Sequence, residues 1–419
     1  MAGLERTTAA NAYAQTSRAL ANLRAVFILI LLSFHSCLAY LESTAAPAAA
    51  FDRAPYLWLA FPVVDERRFF GFDLYCAWVD VYVMALMFFL SGLFVAPSLA
   101  RKGAARFAAD RVRRLGAPFL FNVFVLAPIA IYPVFHRLQP KASLADYIAA
   151  YRQLPFLPNG PTWFLWLLLT MTIAVAALYA FAPIAFDALA AVATDARNRP
   201  KRFLLALVGA GIVAYLPLAL AFGPFDWFES GLFSFQKSRP LLYFVFFLGG
   251  IAVGASGLGK GLLAPDAALV RGWRRLAVLS PMMLFAWMGL TGATLSFPGF
   301  APLTMRIASA LAYVAASVAG VTLLLAVVSR FCTHRISWLE PLSQNSLGIF
   351  ALHYVPLVWM QYLMLGAPIP AFFKALIVFV GVLSSSLLVA GAMRRAAWTA
   401  FLIGEVRSEP TTPARPQRV

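Results

Sequence analysis

Charge is what this chain has least of. Asp, Glu, Lys and Arg make up 12% of its residues, and 62% are hydrophobic, where an ordinary soluble domain carries roughly 25% charged residues. With a mean hydropathy of +0.79, a soluble globular protein of this length is excluded. Cysteine is also scarce. Cys37, Cys76 and Cys332 provide no disulfide framework, zinc spacing or haem motif, and read as small buried hydrophobes. No metal site and no permanently bound cofactor is expected. Acidic residues number 17, and only Asp80 falls clearly inside an apolar segment. Ion-coupled transporters usually carry titratable groups near the bilayer midplane, so this scarcity argues against one.

What the chain does have is apolar segments of about 20 residues along nearly its whole length, the mark of transmembrane helices. The expected fold class is therefore all-α, a polytopic integral membrane protein. About ten transmembrane helices are expected, over 23–40, 77–98, 116–135, 163–186, 203–222, 240–257, 276–296, 305–329, 346–364 and 370–392. The runs are continuous and do not alternate with period two, which excludes a β-barrel. The first run is not a cleaved signal peptide, because a polar tail precedes it and many spans follow. Residues 1–22 read as an N-terminal tail, 23–392 as the membrane domain and 393–419 as a C-terminal tail, disordered after Arg407. The stretch 41–76 is too short for an independent core, and no internal repeat is evident.

Lys and Arg set the orientation. Of 34 such residues, 24 fall on the side of the N-terminus and 10 on the other, so both termini are expected in the cytoplasm. The net charge of +17 is mostly this topology signal. Its spread over many loops gives no nucleic-acid module. The stretch Gly257-Leu258-Gly259-Lys260-Gly261 lacks the phosphate-loop pattern and reads as a linker.

Chemistry is concentrated in a few places. The first span carries Arg24 at its start and His35 in its middle. Eleven helical steps come to ~1100°, about 20° past three turns, so the two share a face. Their axial separation is ~16 Å, about half of a ~30 Å hydrocarbon core. An intramembrane histidine is a functional-site hypothesis by default. His353 is the second intramembrane histidine, with a backbone carbonyl as an alternative reason for its presence; His136 and His334 lie at opposite membrane edges. The segment 101–114 is densely basic, and Arg111 and Arg114, three apart, share a helical face. Guanidinium forks suit phosphate oxygens, and with Arg24 on the same side this reads as a polyphosphate grip. Contact with anionic headgroups is the alternative. Gly160-Pro161-Thr162-Trp163-Phe164-Leu165-Trp166 opens the fourth span, where an interfacial aromatic belt is the simpler account. Asp80 would pair with a buried base or cap its helix.

These motifs in this order resemble the membrane acyltransferase-3 family, O-acyltransferases of polysaccharides, periplasmic glucans and O-antigen. The resemblance runs from Arg24 to about residue 392. Arg24 and His35 match the family's Arg-x10-His signature, and Arg111 and Arg114 its Arg-x-x-Arg element. Phe88-Phe89-Leu90-Ser91-Gly92, Trp163-Phe164-Leu165 and Ser346-Leu347-Gly348-Ile349-Phe350-Ala351-Leu352-His353 are similar to further family motifs. Leu347 and Phe350 stand where the family often has tyrosine.

The resemblance implies transfer of a short acyl group from cytoplasmic acyl-CoA, the donor substrate, to a hydroxyl of an extracytoplasmic glycan or glycolipid acceptor. The protein would sit in the lipid bilayer of the cytoplasmic (inner) membrane. Arg24, Arg111 and Arg114 would hold the acyl-CoA phosphates. His35 would be the catalytic base or, alternatively, the transient acyl carrier, with His353 and Asp80 assisting. An imidazole, with an ordinary pKa of about 6.5, is largely neutral at pH 7. Ser91, Gly92, Trp163 and Phe164 would be structural. A succinyl donor would want a further cation near the midplane, and none is evident, which favours acetyl. The outer loops offer Tyr56, Trp58, Phe69, Phe70, Trp227 and Phe228 with Asp65, Glu66, Asp226 and Glu229, a mixture suited to sugars and equally to ordinary interface loops. The competing readings are a transporter or flippase of a sugar-containing substrate, and a sensor that has lost activity. The sequence does not specify an oligomeric state.

Overall fold

The computed structural model describes residues 2–44, 48, 50–54 and 56–405, and side chains from Asn11 onward. The protein is an all-α polytopic membrane protein. Among the described residues, eight helices are long and apolar enough to cross a membrane, and a bent pair makes a ninth. All ten expected segments are largely helical, but three depart from expectation: the fourth ends at Phe181, with a separate helix from Ile184, and two others are not simple spans. The sixth is a helix of only 16 residues, Pro240–Ala255, about 24 Å long. The ninth is broken by 47° between Ser346–Leu352 and Tyr354–Leu363. Pro356 explains the break, because it has no N–H for the Leu352 carbonyl and its ring crowds that oxygen.

The N-terminal tail is not separate from the first span. Helix α1 (Ala2–Cys37) is continuous through both. It runs antiparallel to α2 (Phe70–Gly92), with Ser33 Oγ 2.5 Å from Tyr75 Oη at one end and the Arg24 guanidinium 5.9 Å from the Phe94 ring at the other. Then α3 (Val95–Lys102) and α4 (Ala104–Arg111) turn the basic segment back into the third span. That span contains two wide π-turns, Val112–Gly116 and Asn122–Leu126. Pro118 and Pro128 follow them, each crowding the carbonyl four residues back, inside the π-turn. The tail after Arg407 lies outside the described residues.

The short Pro240–Ala255 helix owes its place to glycine. A Cβ on Gly250 would strike the Phe89 carbonyl, one on Gly254 the Leu93 carbonyl, and one on Gly92 the Phe247 carbonyl. This is the small-residue helix contact that drives association in lipid, where apolar burial offers no contrast between helix and solvent. The helix runs parallel to α2, with Phe88 stacked on Tyr243 at 5.0 Å.

A hairpin precedes that helix. Strands β1 (Trp227–Ser230) and β2 (Phe233–Gln236) pair antiparallel, Trp227 opposite Gln236 and Glu229 opposite Ser234. Period-two alternation gives it two faces. Phe233 and Phe235 pack on Trp166, with ring centroids at 4.8 and 5.7 Å. Trp227, Glu229, Ser234 and Gln236 lie on the opposite face.

A chain of buried amides and hydroxyls fastens the hairpin to the start of the fourth span. Asn122 Nδ2 donates to the Asn159 carbonyl (2.9 Å) and to Thr162 Oγ1 (2.7 Å). Ser234 Oγ donates to Asn159 Oδ1 (2.8 Å), and Asn159 Nδ2 donates to the Leu232 carbonyl (3.1 Å). Gly160 turns with φ +47°, and a side chain there would meet the Tyr354 ring. The segment before α2 is pinned by the Lys374–Asp65 ion pair at 2.7 Å, with both side chains at most 3% exposed.

Gly250→Leu is expected to abolish the monodisperse peak of the detergent-solubilised protein on size-exclusion chromatography, whereas Gly289→Leu, where a Cβ meets open space, is expected to keep it. Equal profiles for the two would remove the glycine contact as the reason for this packing.

Candidate active site

Two cavities lie back to back along α1. The first, of about 440 Å³, is lined by Arg24, Arg111 and Arg114, with Arg101 and Lys102 at its edge. Among the described residues none of these three arginines has a carboxylate partner. The nearby Asp110 is taken by Lys102. Three guanidinium groups without an ion-pair partner, in a hollow whose lining carboxylate Asp110 is held by Lys102, make an arrangement suited to an anion. Arg111 and Arg114 line one cavity, with a π-turn beginning between them. Ser91 and Phe164 line the same cavity.

The second cavity, of about 460 Å³, contains His35 together with Asp80, Trp163, Trp227, Arg239 and Gln361. Its volume lies within the ~300–1,000 Å³ typical of ligand sites. The partition between the two cavities is about one helical turn thick. On α1 it falls between Ile28 and Leu31, and on α2 between Met87 and Met84. Trp163 faces the histidine cavity and Phe164 the basic one, as do Tyr354 and Phe350 respectively. Aromatic rings fill the partition: Phe88 on Phe164 at 4.9 Å, Phe164 on Phe350 at 5.9 Å, and Phe350 on His353 at 5.8 Å.

The two intramembrane histidines meet here, with ring centroids 5.1 Å apart. His353 is fully buried, and its Nδ1 lies 2.6 Å from the Phe350 carbonyl oxygen. A carbonyl only accepts, so Nδ1 carries the proton and Nε2 keeps its lone pair. That Nε2, and Nδ1 of His35, are buried without a hydrogen-bond partner among the described residues. Eleven buried side-chain polar atoms lack a partner among the described residues, and these two belong to rings that lie 5.1 Å apart at the cavity. Gln361 Nε2 donates to the His35 carbonyl at 3.0 Å, tying the bent pair to α1 at this level. His136 and His334 line neither cavity.

Asp80 takes the first of its two expected roles. It pairs bidentately with Arg239 at 2.7 and 2.8 Å. Arg239 is 1% exposed, and its guanidinium lies 5.0 Å from the Tyr313 ring. Arg239 is a site residue that sequence reasoning passed over, although a lone arginine directly before a proline-opened apolar run was a visible signal. Two residues offered for the acceptor side are otherwise engaged: Trp58 is stacked on Phe51 at 5.0 Å in a buried cluster, and Asp65 is held by Lys374.

The fold and the paired cavities define a polytopic membrane protein that brings an anion site close to a buried histidine pair. The profile of the acyltransferase-3 family, described as an acyltransferase domain, matches residues 18–395. The chain belongs to that family and is a membrane acyltransferase. No curated protein and no solved structure matches it.

Removing one partner of a buried ion pair costs about 3–5 kcal/mol; partial exposure of Asp80, at 30%, moves the expectation to the lower end. Asp80→Leu is therefore expected to lower the melting temperature by several degrees, and Asp80→Leu with Arg239→Met to recover most of the loss. A double variant as unstable as the single one would show that the pair does not act through Arg239's buried charge.

Proposed function

We propose that this protein moves a short acyl group from cytoplasmic acyl-CoA to a hydroxyl of an extracytoplasmic glycan or glycolipid, across the inner membrane. The observation that carries this reading is the pair of cavities: three unpaired arginines on one side of a one-turn partition and His35 on the other. The Lys and Arg bias supports an arginine side that faces the cytoplasm, where acyl-CoA is made.

In this reading Arg24, Arg111 and Arg114 bind the nucleotide phosphates, and the pantetheine arm passes the Phe88–Phe164–Phe350 partition. The acceptor hydroxyl enters the opposite cavity and gives its proton to His35. Its oxygen attacks the thioester carbonyl, the C–O bond forms, the C–S bond breaks, and the CoA sulfur takes the proton from His35. The His353 ring packs against His35 and holds its orientation. Arg239, the cation that lines this cavity, is already neutralised by Asp80, which favours an acetyl donor over a succinyl one.

The test is transfer in proteoliposomes, with labelled acetyl-CoA on the arginine side and a glycan mixture on the other. His35→Ala is expected to lower kcat by roughly 10²–10⁴-fold, the usual worth of general-base catalysis. Arg111→Ala and Arg114→Ala are expected to act on KM for acyl-CoA instead. Each would raise it about ten- to a hundredfold, since a charge-assisted hydrogen bond contributes ~1.5–3 kcal/mol. Equal transfer by wild type and His35→Ala would overturn the mechanism and bring the transporter reading forward.

A further inference from the structure

A third cavity, of about 260 Å³, opens beside the histidine cavity. The two share Leu59, Ala60, Phe61, Gly160 and Trp227 as common wall, so they adjoin, with Trp227 between them. The added part is lined by the aromatic residues Tyr56 and Phe156 together with Glu229 and Ser234, and is bordered by Phe233, whose ring packs on Trp166. Its lining contains no Lys, Arg or His.

The hairpin builds part of both cavities. Trp227, Glu229, Ser234 and Gln236 share one face of the two strands. Gln236 and Trp227 wall the histidine cavity, while Trp227, Glu229 and Ser234 wall the added one. The face is held rigidly: Trp166 Nε1 donates to the Ser234 carbonyl at 3.1 Å, and Leu157 N donates to the Gly231 carbonyl at 2.7 Å. Rigid placement matters because a groove that orders itself only on binding loses affinity to ordering entropy. Glu229 is half-buried and has no ion-pair partner among the described residues, and burial raises its carboxyl above the ordinary range. Its oxygens are free to accept from a ligand.

We infer that this added cavity is a second acceptor subsite, which takes the neighbouring sugar unit of a neutral, linear glycan while the unit to be acylated lies against His35. Aromatic rings present flat apolar faces to the C–H side of a pyranose, and Glu229 and the Ser234 hydroxyl meet its O–H groups. A carboxylate without any cation disfavours phosphorylated or uronic-acid units here. The acceptor is thus at least a disaccharide, read by its length as well as by the reacting hydroxyl. The inference rests on the acyltransferase reading for what lies at His35, but it makes a claim about binding that can be read without transfer.

The experiment is isothermal titration calorimetry on the full-length, detergent-solubilised protein without acyl-CoA. The probes are neutral linear glucose, mannose, galactose and N-acetylglucosamine oligomers of one to four units. For the sugar class that binds most tightly, affinity is expected to rise at least tenfold from one unit to two. In Tyr56→Ala and Glu229→Gln the gain is expected to shrink below threefold, while lipid-facing Leu205→Ala retains it. No binding by any oligomer, equal affinity for one and two units, or a full length gain in both variants would overturn the inference. In the proteoliposome assay, transfer to monomer and dimer with equal kcat/KM would sink the second subsite and leave the acyltransferase standing. Length-dependent binding with no transfer would do the reverse.

Discussion

The Asp80–Arg239 ion pair fixes the half of the molecule that faces the histidine cavity. Nothing in hydrocarbon can hydrogen-bond a stray polar group, so charges there must find one another within the protein. Asp80 sits ten residues into α2, and Arg239 immediately precedes the Pro240–Ala255 helix. Their pairing therefore starts that helix well below the beginning of α2. This is why 16 residues suffice, and why the preceding chain must fold inward as a hairpin. The glycine contact then carries the helix alongside α2 toward the arginine end. One pair thus determines the depth of a helix, the position of a hairpin and the wall of two adjoining cavities.

The same rule of internal satisfaction gives the unsatisfied atoms their meaning. Asn122, Asn159, Thr162 and Ser234 hydrogen-bond one another, Lys374 and Asp65 neutralise one another, and His353 spends its proton on a carbonyl. His35 Nδ1 and His353 Nε2 are among the eleven buried side-chain atoms without a hydrogen-bond partner among the described residues, and the three arginines of the basic cavity have no ion-pair partner there. In the proposed reaction these groups meet substrate: phosphate oxygens at the guanidinium groups, a hydroxyl proton at the imidazole.

Much of this was legible in the sequence because it is carried by helical spacing. Arg24 and His35 lie on one helix, and Arg111 and Arg114 lie three apart, so their relations follow from rise and twist alone. The Trp163–Phe164 pair was legible as a motif, but its division between two cavities was not. Arg239 was missed because its partner lies 159 residues away, and no local pattern encodes a tertiary pair. The hairpin was missed because four-residue strands inside an aromatic loop give too little alternation to separate from an interfacial belt. The break at His353 had a visible cause in Pro356, hidden by a run apolar enough to pass as one span. The expected N-terminal tail proved continuous with the first span, since nothing between Ala2 and Cys37 breaks a helix.

The partition is where the geometry and the reaction meet. A one-turn barrier of Phe88, Phe164 and Phe350 keeps the two cavities apart in this structure, yet in the proposed reaction an acyl thioester must cross it to reach His35. Aromatic rings make a suitable gate. They fill the opening by contact alone and leave no buried polar group exposed when they turn aside. Phe350 sits one turn from the break at His353, on a short helix whose backbone is already interrupted. Phe350 and His353 pack ring to ring at 5.8 Å across that interruption, so the partition and the second imidazole form one packed unit.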